Sequence, residues 1–276
     1  MNTIYDCYAL SNGVRIPCVG YGTYRTGGPG VIETAIEAGY RYFDTASFYQ
    51  TEADIAEAMK NCGLTRGEVF LASKLWKDEM GYEQTKAAFQ RTLEQLETDY
   101  LDLYLIHWPR PDAGDTDWKQ LDLETWRAME ELYRAGKIRA IGLSNFLPHH
   151  IENLLLHAQV APMVNQIEFH PEHAQEATVR YCREHDIQVQ AWSPMGRTRV
   201  LNDPLVLELA DTHGVSPAQI CLRYAVQKQV IPLPKASSME RMKQNQDLFS
   251  FALSQEEMYR LDTMPPTGWS GQHPDR

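Results

Sequence analysis

The chain has no CxxC spacing, and its five cysteines, Cys7, Cys18, Cys62, Cys182 and Cys221, are odd in number and widely scattered. That distribution argues against a disulfide framework and a zinc site, and it leaves the thiols as packing groups. Long apolar runs are missing too, since no stretch approaches the ~18 consecutive apolar residues of a membrane-spanning helix. The opening MNTIYDCYALSNG has no basic flank followed by an apolar core, so no secretory signal is read and a cytoplasmic protein is expected. Positive charge is in short supply. With 26 Lys and Arg against 37 Asp and Glu, the net charge is -11 and the pI near 5.3. Such a balance disfavours nucleic-acid backbones and acidic membranes as partners but leaves room for a local basic pocket. The glycines at 20, 22, 27, 28 and 30 do not form GxGxxG after the first strand, so a Rossmann dinucleotide fold is not expected. Linkers and low-complexity stretches are absent, which points to one domain over residues 1–276, expected to act as a monomer on a small molecule.

What the chain does carry is an unbroken alternation of strand and helix patterns. In the first segment, YALSNGVRIP, the central Asn12-Gly13 predicts a hairpin with a tight type I′ turn. After the breakers at 27–30, VIETAIEAG has helical spacing, and the strand RYFD at 41–44 follows. Then come a helix at about 51–62, strand VFLASKL, a helix at about 82–97, strand LDLYLIH, a helix at about 122–135 and strand IRAIGLS. A helix at 148–158, strand MVNQIEF, a helix at 174–185, strand IQVQAWS, helices near 203–213 and 216–228, strand VIPLP and a last helix at about 254–262 complete the pattern. Counted from VGYG, there are eight strands. Strict alternation implies parallel strands with right-handed crossovers. Eight of them without interruption favour an α/β fold closed into a (β/α)8 TIM barrel, the N-terminal hairpin covering its bottom.

In such a barrel the carboxyl ends of all strands share one rim, where sites are built. Three successive strands reach that rim on ionisable residues: Asp44, with Tyr49 five residues beyond it, then Lys74, then His107. Tyr49 is the candidate general acid, because a phenol near pKa 10 can protonate a developing alkoxide if a cation lowers that value. Lys74 is the cation: a unit charge ~4 Å away at an effective dielectric near 20 is worth roughly 4 kcal/mol, about three pKa units. Asp44 is its counter-ion, and His107 can hydrogen-bond a substrate oxygen. Taken singly, each of these is more often structural than catalytic. Gathered on one rim they are not. Later strand ends add Ser144, Asn145 and Gln166, partners suited to a nicotinamide carboxamide, and Trp192 with Ser193, whose indole offers either a stacking face or a packing aromatic. PLPKASSMERMKQN places Lys235, Ser237, Ser238 and Arg241 around a helix start, either a phosphate site or a solvated charged turn. Tyr24, Phe48, Trp76 and Trp108 would line an apolar mouth or pack on the rim. His170 and His173 with Asp44 and His107 suggest a metal-dependent hydrolase, but Lys74 would compete with a metal, and none is expected.

Over its whole length the chain resembles the aldo-keto reductases. GYRYFDTASFYQTE, FLASKLW, LYLIHWP, IRAIGLSNF, VNQIEFHP, QAWSPMG and LPKASSMERMKQN follow that family's motifs in order and spacing. The resemblance implies a TIM barrel that binds NADPH in an extended form, with NADH a weaker alternative. It implies Tyr49 as acid, tuned by Asp44 and Lys74, with His107 orienting the carbonyl. It also assigns cofactor contacts to Gly22, Thr23, Asp44, Ser144, Asn145, Gln166, Trp192, Ser193, Met195 and Gly196. Lys235, Ser237, Arg241, Gln244 and Asn245 would hold the adenosine phosphate end. Four positions depart from the family pattern: Ala236 and Gln244 bear on the 2′-phosphate and adenine contacts, Tyr42 and Ala56 on structure. The expected reaction is NADPH-dependent reduction of small aldehydes and ketones, dicarbonyl or sugar-like. Small, polar substrates are expected because only TMPPTGWSGQHPDR remains to cover the mouth, Trp269 closing one side. A cofactor-sensing regulatory module of the same fold is the alternative from outside enzymology.

Overall fold

A computed structural model of the chain describes every residue except 113, 267, 268 and 276. It begins with an antiparallel ribbon, β1 (Cys7–Ala9) and β2 (Arg15–Pro17). The turn differs from the type I′ expectation, in which Asn12 and Gly13 both take positive φ. Of the two only Gly13 does, at 84°, while its N–H reaches Leu10 O at 2.8 Å and Leu10 N–H reaches Val14 O at 2.9 Å. This is a three-residue loop with glycine in the left-handed position. Asn12 works through its side chain instead, Oδ1 accepting from Val14 N–H at 3.1 Å and Nδ2 donating to Arg139 O at 2.9 Å. That second bond pins the ribbon to the amino-terminal end of a barrel strand, the bottom of the molecule.

The barrel elements are β3 (Tyr21–Gly22), α1 (Pro29–Ala38), β4 (Tyr42–Asp44), α2 (Glu52–Asn61), β5 (Phe70–Leu75), α3 (Tyr82–Gln95), β6 (Leu103–Ile106) and α4 (Trp118–Arg134). They continue with β7 (Ile141–Ser144), α5 (Pro148–Leu155), β8 (Val164–Glu168), α6 (Glu176–Glu184), β9 (Gln188–Trp192), α7 (Pro204–His213), α8 (Pro217–Gln227) and β10 (Ile231–Pro232). Two helices, α9 (Met239–Gln244) and α10 (Gln255–Asp262), complete the fold. Strands β3 to β10 form one parallel sheet in chain order. Gly20 N–H to Pro232 O and Gly22 N–H to Pro234 O, both 3.1 Å, tie its first edge to its last. The sheet is the (β/α)8 barrel.

Helices form where apolar residues recur at three and four. In α3 the buried face is Thr85, Ala88, Phe89, Thr92 and Leu93, with Phe89 edge-on to Tyr104 of β6 at 5.1 Å. Each such aromatic or leucine contributes about 1.5–3 kcal/mol by leaving water. Helix α4 starts four residues before the expected 122, at Trp118. Lys119 and Gln120 obscure the apolar period there, whereas Trp118 is buried and draws the first turn inward. No helix among the described residues is long and apolar enough to cross a membrane.

Candidate active site

Alternation along each strand decides which residues look into the barrel, and it brings Asp44 of β4 and Lys74 of β5 together. Lys74 Nζ donates to Asp44 Oδ1 at 2.6 Å and to Thr45 O at 2.9 Å, both side chains being buried. Burial alone would draw the lysine down. Asp44, and then Tyr49, outweigh it and hold the group above its ordinary value, an ammonium ion. Tyr49 is set by a single 3-10 turn, Ser47–Tyr49, immediately beyond β4, with Tyr49 N–H on Ala46 O at 2.9 Å. Its hydroxyl lies 3.5 Å from Lys74 Nζ. The expected lowering of the phenol's pKa is not found. Burial raises it most, Lys74 opposes and Asp44 adds to the rise, leaving Tyr49 above its usual value. The reason is local: burial of the phenol outweighs the pull of the Lys74 charge. Tyr49 therefore stands protonated, the state a proton donor requires.

His107 follows directly on β6, its ring 5.5 Å from Tyr49 and 5.1 Å from Trp76, edge-on to both. Burial, and then the Lys74 charge, hold it well below the ordinary histidine value, so the imidazole is neutral. Its Nδ1 makes no hydrogen bond among the described residues.

Asp44, Tyr49 and His107 line a cavity of about 610 Å³, with Lys74 buried beneath them. The four expected aromatics, Tyr24, Phe48, Trp76 and Trp108, line it as well. Phe48 and Trp76 stack at 3.9 Å with an interplanar angle of 13°, and Tyr24 sits 4.9 Å from Tyr49. Gly22, Asn145, Trp192, Ser193, Met195 and Lys235 complete the expected lining. Thr23, Ser144 and Gln166 are fully buried and hydrogen-bonded to the strand ends instead. Thr23 Oγ1 donates to Asp44 O at 3.0 Å, Ser144 Oγ to Gln166 O at 2.9 Å, and Gln166 Nε2 to Asp44 Oδ2 at 2.8 Å. Asn145, at φ 65°, donates to His107 O at 2.9 Å and accepts from Trp192 Nε1 at 2.8 Å, which fixes the indole against the wall. Gly196 is buried and opens the 3-10 turn Gly196–Thr198 in the loop that follows β9.

The phosphate candidates continue outward from Lys235, whose Nζ rests on Arg25 O at 3.2 Å. Arg241 Nη2 bonds Ser237 Oγ at 3.1 Å and its Nε bonds Ser238 Oγ at 3.2 Å. Ser237, Arg241 and Gln244 are exposed and Asn245 is buried, all on the turn into α9 or along it, outside the cavity. Sequence reasoning missed Arg25, Pro194, Arg197, Thr198, Leu233 and Gln272 in the lining. The signal for Arg197 was its place just past the QAWSPMG strand end; nothing near Gln272 announced it.

Gln272 belongs to the C-terminal segment, which crosses the mouth. Ser270 N–H donates to Glu168 Oε1 at 3.0 Å and its Oγ to Oε2 at 2.6 Å, while Arg197 Nη2 donates to Gln272 Oε1 at 3.0 Å. Asp275 Oδ1 meets Arg110 Nη2 at 2.6 Å, His150 Nε2 at 3.0 Å and His149 Nε2 at 3.2 Å. Two histidines and a carboxylate look like a metal set, but the tautomer says otherwise. Leu147 N–H donates to His150 Nδ1 at 3.1 Å, so Nε2 carries the proton and donates to Asp275. The trio is a clasp. Trp269 packs at 6.1 Å from His173 and does not line the cavity; the tail expectation at residues 267, 268 and 276 lies outside the described residues.

Comparison with known proteins gives the family. The profile of the aldo/keto reductase family matches residues 25–265. The chain is 42% identical to the glyoxal reductase of Bacillus subtilis (strain 168) over 277 residues, covering 99% of this chain and 98% of that protein. It is 38% identical to the 9,11-endoperoxide prostaglandin H2 reductase of Trypanosoma cruzi, covering 100% and 97%. Its fold superimposes on the crystal structure of a Bombyx mori aldo-keto reductase in complex with NADP with a TM-score of 0.85 at 36% identity, covering 94% and 92% of the two chains. The buried Asp44–Lys74 pair, the protonated Tyr49 and the neutral His107 are thus set in a chain that belongs to the aldo/keto reductase family, an NAD(P)H-dependent oxidoreductase.

Proposed function

We propose that this protein reduces small dicarbonyl or sugar-like aldehydes and ketones to alcohols with NADPH. The observation that carries the reading is the ion pair beneath the phenol: Lys74 Nζ 2.6 Å from Asp44 and 3.5 Å from the Tyr49 hydroxyl, opening on an aromatic-lined cavity. The donor set suits a nicotinamide dinucleotide, because one wall presents the flat Trp192, Asn145 and Ser193, and leads outward to Lys235 and Arg241. The chemistry that such a dinucleotide would supply when bound is a hydride for the carbonyl carbon. Tyr49 delivers its phenolic proton to the carbonyl oxygen, so that one hydride and one proton make the alcohol. Lys74, held charged by Asp44, stabilises the phenolate left behind, and the buried site strengthens that attraction relative to water. His107, neutral, orients the carbonyl oxygen by a hydrogen bond rather than by charge.

The similarity to a glyoxal reductase and the polar tail residue Gln272 in the lining support short dicarbonyls as substrates. A screen of glyoxal, short aldehydes, aldoses and bulky ketones, followed by NADPH absorbance, tests this. Glyoxal and short polar carbonyls should give the highest kcat/KM. A markedly higher value for steroid-sized ketones would overturn the substrate assignment, and no NADPH oxidation with any carbonyl would overturn the reading itself.

A further inference from the structure

Barrel interiors are normally filled by layers of branched apolar side chains. Here a polar file runs through one instead. Tyr42, Gln190, Gln166, Asp44 and Lys74 are all buried. Gln190 Nε2 donates to Tyr42 OH at 2.8 Å, Gln166 Nε2 donates to Gln190 Oε1 at 3.0 Å and to Asp44 Oδ2 at 2.8 Å, and Lys74 holds Asp44 Oδ1. The direction of the file follows from its charged end. A carboxylate ion-paired to Lys74 only accepts, so Gln166 must turn its NH₂ group to Asp44, its second proton must find an acceptor, and Gln190 must present its carbonyl there. Gln190 then has its own NH₂ left for Tyr42.

Strand register makes the file possible. Gln166 and Gln190 are direct partners across β8 and β9, and Tyr42 stands two residues before Asp44, on the same face of β4. Tyr42 is itself immobilised. Its ring packs edge-on to Phe70 at 4.8 Å, and a Cβ at Gly20 would come within 2.6 Å of Tyr42 Cδ1, so only glycine leaves the ring its place.

We propose that Gln190 is a positioning residue for reduction: anchored on Tyr42, it locks the Gln166 amide so that Asp44 is held at both oxygens and keeps Lys74 beneath Tyr49. The proposal rests on the catalytic roles of Asp44, Lys74 and Tyr49 given above. Buried polar networks are costly unless every member is paired, and an apolar replacement of the whole file would pack as well. A merely structural Gln190 would therefore affect stability, and a positioning one turnover.

Three variants separate the two. Gln190→Leu removes both bonds. Gln190→Glu, kept neutral by burial beside Asp44, retains them: its carbonyl oxygen accepts from Gln166 and its O–H donates to Tyr42 OH. Gln190→Leu combined with Tyr42→Phe replaces the anchor by apolar atoms and relieves the unpaired hydroxyl. For each, Tm, Kd for NADPH by fluorescence titration, and kcat and KM for propanal and glyoxal are measured. In Gln190→Leu, kcat is expected to fall about tenfold with Kd and KM within about twofold of wild type. Gln190→Glu should recover kcat to within about threefold, and the double variant should regain Tm but not kcat. Unchanged kcat in folded Gln190→Leu or in the double variant, a loss confined to Kd, or Glu no better than Leu would each overturn the proposal. If wild type reduces propanal but not glyoxal, only the dicarbonyl reading falls and the comparison stands on propanal; if it binds no NADPH and reduces neither, both fall.

Discussion

Tyr49 and Arg241 are the two residues on which the proposed reaction is most directly testable. Tyr49→Phe deletes the proton donor and leaves the cavity wall and the outer cations in place. Turnover is expected to drop by about 10²–10⁴-fold with NADPH affinity nearly unchanged. Stopped-flow reduction and a cofactor titration check it, and a mutant that fails to bind NADPH would show that the side chain has another role. Arg241 faces outward, and its guanidinium is already oriented by Ser237 and Ser238. A charge-assisted bond to a 2′-phosphate is worth ~1.5–3 kcal/mol, reduced by solvent at so open a position, and Ala236 adds no hydroxyl. Together with Lys235 this gives an expected NADPH preference on the order of 10²-fold, most of which Arg241→Ala should remove. Equal dissociation constants for NADPH and NADH in wild type, or the same ratio in the variant, would sink the assignment.

Among the elements, the C-terminal segment bears most on substrate access, and it is held by side chains rather than by a helix or strand of its own. Glu168 at the end of β8 is its first anchor. Burial by itself would raise that carboxyl, but His170 and Ser270 win and keep it below the ordinary glutamate value. A lowered value means the anchor's stabilisation is present above the unfolded pKa and is lost as pH falls through the folded one. Ser270→Ala removes the hydroxyl bond to Oε2 and should loosen the segment by about 1–3 kcal/mol. Amide exchange at 270–275 should accelerate while the strands keep their protection; unaltered exchange there would mean the clasp at Asp275 suffices alone.

At the scale of the whole molecule, two buried neutral histidines make acid the weak side of this fold. His107 lies well below the usual value, and burial with neighbouring His149 pushes His150 down to about 3. In the unfolded chain both bind a proton near pH 6.5, so folding is opposed progressively as pH falls below that, by about 1.4 kcal/mol per unit for each such group until its folded pKa is reached. The loss should thus begin above the carboxylate range. His150→Gln keeps an acceptor for Leu147 N–H, as glutamine does at this position of many helices, and removes the titration. Its Tm should depend less on pH between about 6.5 and 4 than that of wild type. Parallel curves for the two proteins would refute the assignment.

The strand and helix alternation, the eight-strand count and the placing of Asp44, Lys74 and His107 at strand ends were legible in the chain because period and rim position are local properties of a sequence. So was the Asp44–Lys74 pair, since neighbouring parallel strands bring their ends together. Three things were decided only in three dimensions. The Asn12-Gly13 turn took a three-residue form, with the Asn12 amide drawn to a carbonyl at 139 on the barrel floor. The Tyr49 proton was settled by burial outweighing the Lys74 cation, with Asp44 adding to the rise, a balance that depends on distances between strands. The file from Tyr42 through Gln190 to Asp44 links residues up to 148 apart in sequence, and no local pattern carries a contact of that span, because it exists only once strand register has aligned the three strands around the barrel.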